Sequence, residues 1–179
     1  MKWLRYSALT LVSLIVLAIA GLLVWGMFPD SRRLVVSVDV ARPVQDVWPW
    51  ITEPEKLKSW VAWLVEIRVL TPPPHGVGSK TVWVMQERNY QKMEMTEELT
   101  EYNPPHNLKV RVSAPLGFSG EVSFELTDLG NGNTRALQSS SFQFDKWWAR
   151  LLTPLIIQSA HKKAVEDMQR LKSKAEASH

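Results

Sequence analysis

Between residues 34 and 144 the chain runs through seven short segments that alternate apolar and polar residues or carry β-branched runs. It then closes on about thirty residues whose apolar positions recur every three or four. In residues 34–41, Val36, Val38 and Val40 fall on one face while Ser37 and Asp39 fall on the other. Further strands are expected over 64–70, 80–86, 90–102, 108–114, 120–128 and 134–144. Between them stand Thr71-Pro-Pro-Pro-His-Gly-Val-Gly78, Asn103-Pro-Pro-His106 and Gly130-Asn-Gly-Asn133, all of which carry turn chemistry. Two short helices are expected between the first and second strands. One follows Pro43 with Val44, Val47, Trp48 and Ile51 at helical spacing and is shortened or bent by Pro49; the other covers 53–60, with Leu57 and Trp60 inward. In 145–174, Ile157, Ala160, Ala164, Met168 and Leu171 form one stripe, and Lys162, Lys163, Glu166, Asp167 and Arg170 mostly face elsewhere. Asp145 is placed as the helix N-cap and Pro154 as a bend. Strands joined by short turns pair as an antiparallel meander, and a one-sided sheet needs an apolar cover. The chain therefore predicts an α+β fold in which a curved seven-stranded antiparallel sheet grips a long C-terminal helix.

A different constraint stands at the start. From Ser7 to Phe28 no residue is charged, and residues 9–28 are apolar all round. At about 1.5 Å per residue, some 22 residues span the roughly 30 Å hydrocarbon core of a bilayer. Lys2 and Arg5 with Ala18-Ile19-Ala20 allow a cleaved signal peptide, but apolar sequence continues for eight residues beyond Ala20, where a mature N-terminus would turn polar. The expectation is one transmembrane helix, with residues 1–30 as anchor and 31–179 as the folded domain. Trp3, Tyr6 and Trp25 suit the interface. Arg32 and Arg33 offset Lys2 and Arg5, so basic residues do not set the orientation; a short basic segment before a long apolar run favours the domain on the outer, periplasmic side.

Composition narrows the function classes. The chain has 21 Lys and Arg against 18 Asp and Glu, and setting aside Lys2 and Arg5 leaves it nearly neutral, so nucleic acid is not an expected partner. Without cysteine there is no disulfide, thiolate nucleophile or Cys-ligated zinc. His75, His106, His161 and His179 are not paired at ligand spacing, so no metal site and no cofactor is expected. No phosphate loop or nucleophile elbow occurs.

The order of elements, together with Val38-Asp-Val-Ala-Arg-Pro-Val-Gln-Asp-Val-Trp48, Gly76-Val-Gly-Ser79 and Thr100-Glu-Tyr-Asn-Pro-Pro105, resembles the START-related helix-grip (SRPBCC) superfamily. The likeness covers roughly residues 33–174 and is narrowest to the polyketide cyclase/dehydrase-like branch. It implies an apolar cavity between sheet and long helix; it does not imply one reaction, since related folds bind lipids, carry hydrophobic metabolites or cyclise polyketides.

Strand parity locates polar groups within such a cavity. Met93, Met95, Glu97 and Leu99 share one face. Glu97 is either a desolvated carboxyl with a raised pKa, or it reaches water at a strand end or bulge, or it pairs with Arg111 or Lys109. Gln138 and Ser140 interrupt the apolar face of the last strand, and His161 edges the helix stripe. The expected ligand-binding set is Met93, Met95, Glu97, Leu99, Val110, Val112, Phe124, Gln138, Ser140, Ile157 and His161. Trp48, Trp50, Trp60, Trp63 and Trp83 are core or pocket wall, and Trp147 and Trp148 core or a membrane contact. The expected function is a monomeric, membrane-anchored domain binding a hydrophobic or lipid-like small molecule. Two rivals stand beside it: a cyclase or dehydratase using Glu97 or His161 as acid or base, and a cell-envelope interaction domain whose cavity is filled by its own side chains.

Overall fold

The computed structural model describes residues 2–25, 33–74, 76–86, 91–146 and 153–178. Helix α1 (Lys2–Trp25) is followed by β1 (Arg33–Val40), α2 (Val44–Thr52), α3 (Pro54–Trp60), β2 (Leu64–Val69), β3 (Lys80–Met85), β4 (Met93–Asn103), β5 (Asn107–Ala114), β6 (Phe118–Gly130), β7 (Asn133–Phe144) and α4 (Thr153–Ala177). The seven strands form one antiparallel sheet in the order β1-β7-β6-β5-β4-β3-β2. This is the expected meander, with β1 added to the free edge of β7.

Alternation decides which face of each strand is inside. In β1 Leu34, Val36, Val38 and Val40 are buried and the residues between them are exposed. A one-residue slip against β7 would invert that pattern, so the pairing of Val36 with Gln138 and Val38 with Ala136 is fixed by burial as well as by the ladder. The β6–β7 hairpin turns through Asn131 and Gly132, at φ 56° and 75°, the left-handed pair that matches the twist of two strands.

Helix α4 packs on β1, α2 and α3. Its Ala164, Met168, Leu171 and Ala175 are buried in one core with the inward residues of β1, with Val44, Val47 and Ile51 of α2 and with Leu57 and Trp60 of α3. The helix thus covers the β1 end of the sheet, and the inward face of β3 to β6 is left to line a cavity.

The Asp145 N–H donates to the Gly117 carbonyl at 2.9 Å, just past the end of β7, and the helix is described from Thr153; the N-cap expected at Asp145 falls beside residues 147–152, which lie outside the described residues. Pro154 is the second described residue of α4, so the bend expected there falls at the border of the same undescribed stretch. His75, His179, Trp147 and Trp148 lie outside the described residues, as do residues 26–32. Within α1 the side chains at 2, 4, 5, 8, 9, 22, 23 and 25, Trp25 among them, are likewise outside. Among the described residues no helix is long and apolar enough to cross a membrane. The expected transmembrane helix therefore rests on the sequence.

Candidate functional site

The cavity has a volume of about 350 Å³ and a mostly apolar wall. The sheet contributes Thr81, Trp83 and Met85 from β3, Met95, Glu97, Leu99 and Tyr102 from β4, Leu108, Val110 and Val112 from β5, and Phe118, Val122 and Phe124 from β6; Gln138 and Phe142 of β7 join them. Ile51, Leu57, Trp60 and Val61 close it from the α2–α3 side, and Lys163 and Asp167 from α4.

Glu97 stands in a row that crosses five strands: Thr81, Glu97, Val112, Gly120 and Phe142 are successive register partners. Gly120 lets Phe142 lie down over the sheet, because a Cβ there would come within 2.7 Å of the Phe142 ring and 2.4 Å of the Ser141 carbonyl oxygen. Phe142 in turn stacks on Phe118 with ring centroids 5.4 Å apart. An aromatic wall is thereby set near a carboxyl group.

Glu97 has one hydrogen bond among the described residues, donated by Thr81 Oγ1 to its Oε2 at 3.5 Å. Neither cation considered from sequence reaches it. Lys109 Nζ pairs with Glu101 at 3.3 Å, and Arg111 with Glu121 at 4.0 Å, both on the opposite strand parity. Burial without a compensating cation pushes the Glu97 carboxyl up to about 8, against a smaller lowering by the Thr81 hydrogen bond. Near neutral pH the side chain is mainly an uncharged carboxylic acid, able to donate a hydrogen bond as well as accept one. Of the alternatives open in the sequence, the desolvated carboxyl is the one found.

The α4 wall is charged but internally satisfied. Asp167, 8% exposed, accepts from the Ala62 N–H at 3.1 Å, pairs with Arg170, and lies 3.7 Å from Lys163 Nζ. Lys163 Nζ donates to the Ala62 carbonyl at 2.8 Å and sits 3.9 Å from the centroid of the Trp63 ring, and Arg170 Nε donates to the Trp60 carbonyl at 2.9 Å. Three side chains of one helix face thus hold the α3–β2 connection, in which Trp63 has the left-handed φ of 66° that a bulky residue seldom adopts.

Of the eleven residues expected to meet a ligand, Met95, Glu97, Leu99, Val110, Val112, Phe124 and Gln138 line the cavity. Met93 is 46% exposed at the start of β4 and is not part of the lining. Ile157 and His161 also stand off it, His161 on the exposed side of α4. Ser140 is buried and outside the lining, 3.5 Å from Gln138 Nε2. Trp60 and Trp83 line the cavity, Trp48 and Trp50 pack partly buried against the core, and Trp63 is exposed. Sequence reasoning missed Thr81, Tyr102, Lys163 and Asp167. Among the described residues no group of three His, Cys, Asp or Glu is placed to hold a metal ion.

A curved antiparallel sheet closed by a C-terminal helix over an apolar cavity defines the helix-grip class. Within that class the chain belongs to the polyketide cyclase/dehydrase and lipid transport family, whose sequence profile matches residues 31–176. Among solved structures it is similar to the Zhui aromatase/cyclase from Streptomyces sp. R1128, at 14% identity and a TM-score of 0.67 over 81% of this chain and 93% of that one. It is also similar to a conserved protein from Geobacillus kaustophilus, at 15% identity and a TM-score of 0.66 over 80% of this chain and 94% of that one. A protein from Rhodobacter sphaeroides matches at 17% identity and a TM-score of 0.66 over 83% of this chain and 95% of that one. At such identities the likeness is one of fold. No curated protein matches the chain.

Proposed function

We propose that the protein binds a hydrophobic or lipid-like small molecule in this cavity and is held at a membrane by its N-terminal helix. The observation that carries the first half is an open cavity of about 350 Å³ with an apolar lining and few polar groups, the usual composition of a small-molecule site. Because it is open, a domain whose cavity is filled by its own side chains is the weaker reading.

The anchor is supported by the uncharged run of residues 7–28. In α1, Leu11, Val12, Leu14, Ile15, Val16 and Leu17 are all exposed, although these positions cover every face of a helix. Ser7 Oγ and Thr10 Oγ1 donate to the Trp3 and Tyr6 carbonyls at 2.8 Å, which satisfies them without water. An apolar ligand dissolved in the bilayer would then be held at high local concentration beside the domain. We place the domain on the periplasmic side, on the signal-anchor form of residues 1–30.

A cyclase or dehydratase reading keeps one favourable observation, the uncharged acid at Glu97, which is suited to general acid–base work. It loses His161, which stands on the exposed side of α4, and Asp167 is engaged by Arg170 and Ala62. Native mass spectrometry of the detergent-extracted full chain tests the proposal. Binding predicts a co-purifying apolar molecule at one per chain, and extraction with only detergent and nonspecific lipid adducts argues against it.

A further inference from the structure

The surroundings of Glu97 bear on what polar group the apolar ligand carries. We propose that the cavity selects an uncharged ligand bearing a hydrogen-bond-accepting carbonyl, which takes its hydrogen bond from the Glu97 carboxylic acid, and that it discriminates against ligands ending in a carboxylate. This inference rests on the cavity being a ligand site.

From β3 Thr81 occupies only Oε2, leaving Oε1 without a protein partner among the described residues. From β5 the register partner is Val112. The neighbouring ion pairs, Lys80 with Glu98 and Arg111 with Glu121, belong to the opposite strand parity and so to the outer face. Across the cavity Lys163 is committed to the Ala62 carbonyl, the Trp63 ring and Asp167. Within β4 the other titratable group on the lining is the Tyr102 phenol. None of these supplies the free cation that a bound carboxylate requires, and the lining brings in two carboxyl groups, Glu97 and Asp167. A fatty-acid headgroup would be desolvated next to an acid with no counter-ion. A ketone, ester or quinone carbonyl offers a lone pair to the Glu97 O–H and demands no charge. With the carboxyl pushed up to about 8, that donor is present at neutral pH and disappears as the pH rises.

The test uses the full chain in lipid nanodiscs, with the apolar fluorophore 1-N-phenylnaphthylamine as reporter. It is displaced by a C12 methyl ketone or by the C12 carboxylate at pH 6 to 9.5. The expected result is that the ketone binds at least tenfold more tightly than the carboxylate at pH 7. Ketone affinity should fall about tenfold between pH 7 and pH 9, the change in the protonated fraction of an acid titrating near 8. Glu97→Gln keeps an N–H donor that does not titrate, so it should flatten that profile. Equal affinities for ketone and carboxylate, or a flat wild-type profile, overturn the inference while reporter binding upholds the cavity. If the reporter does not bind the wild type, the cavity reading itself fails and the inference falls with it. The wild-type arms decide the matter without the variant.

Discussion

Thr81 and Glu97 are direct cross-strand partners on β3 and β4, and the 3.5 Å contact from the threonine hydroxyl is, among the described residues, the one hydrogen bond given to a carboxyl group set in an apolar wall. A long neutral hydrogen bond does not offset the cost of removing a carboxylate from water. The protein therefore keeps the proton on Glu97, which has consequences for stability as well as for binding.

The sign of the stability effect follows from linkage. The folded carboxyl titrates at about 8 and its ordinary value is 4.5, so between these limits the folded state holds a proton that the unfolded state has released. Stability should fall as pH rises from about 4.5 to 8 and then level off. Glu97→Gln removes the penalty. Its gain over wild type should be near zero at pH 4, grow through that window, and reach on the order of 3 kcal/mol above pH 8, from about 1.36 kcal/mol per pKa unit discounted for water in the cavity. Denaturant unfolding of both proteins from pH 4 to 9 checks this, and a gain independent of pH contradicts it.

The core under α4 should be sensitive to truncation. Met168 and Leu171 have no exposed surface, whereas Val165 of the same helix is 36% exposed. Met168→Ala or Leu171→Ala should each cost about 2–5 kcal/mol, and Val165→Ala well under that. Chemical denaturation of the folded domain's signal gives the comparison.

Much of this arrangement is legible in the sequence because it depends on period alone. Parity placed Met95, Glu97 and Leu99 on the cavity face of β4, and the spacing of Ala164, Met168 and Leu171 found the buried stripe of α4. What parity does not carry is extent. Met93 has the right parity but lies at the exposed start of β4, and His161 lies where α4 faces solvent. Thr81 and Tyr102 become neighbours of the site only through register between strands, which no single segment encodes. By sequence Asp167 faces away from the stripe, because charged side chains favour water. Its burial depends on a backbone N–H from Ala62, over a hundred positions away, and the readable hint was the i,i+4 and i,i+3 spacing of Lys163, Asp167 and Arg170.

That cluster yields a further expectation. Asp167→Asn should weaken the hold of Lys163 and Arg170 on the α3–β2 connection and destabilise the fold by about 1–3 kcal/mol, since a partly satisfied buried group costs its desolvation. Amide hydrogen exchange should rise at Ala62 and its neighbours and stay unchanged in the β6–β7 hairpin. Exchange rising equally in both places argues against a local latch.

Gly120 offers a steric check on the aromatic wall. Gly120→Ala places a methyl group 2.4 Å from the Ser141 carbonyl oxygen and should cost about 1–3 kcal/mol, while Gly76→Ala, with nothing within 4 Å, should change stability little. Thermal unfolding of the two variants side by side measures the difference.

The central claim is that the cavity of the β3–β6 face takes up an apolar molecule. Titration of 1-N-phenylnaphthylamine into the full chain in nanodiscs, compared with Val110→Trp, tests it most directly, because Val110 lines the cavity and an indole would occupy much of its roughly 350 Å³. The account predicts saturable binding of one probe per chain above the nanodisc background, and loss of that binding in a Val110→Trp protein with unchanged circular dichroism. Probe uptake that is the same in both proteins would contradict it.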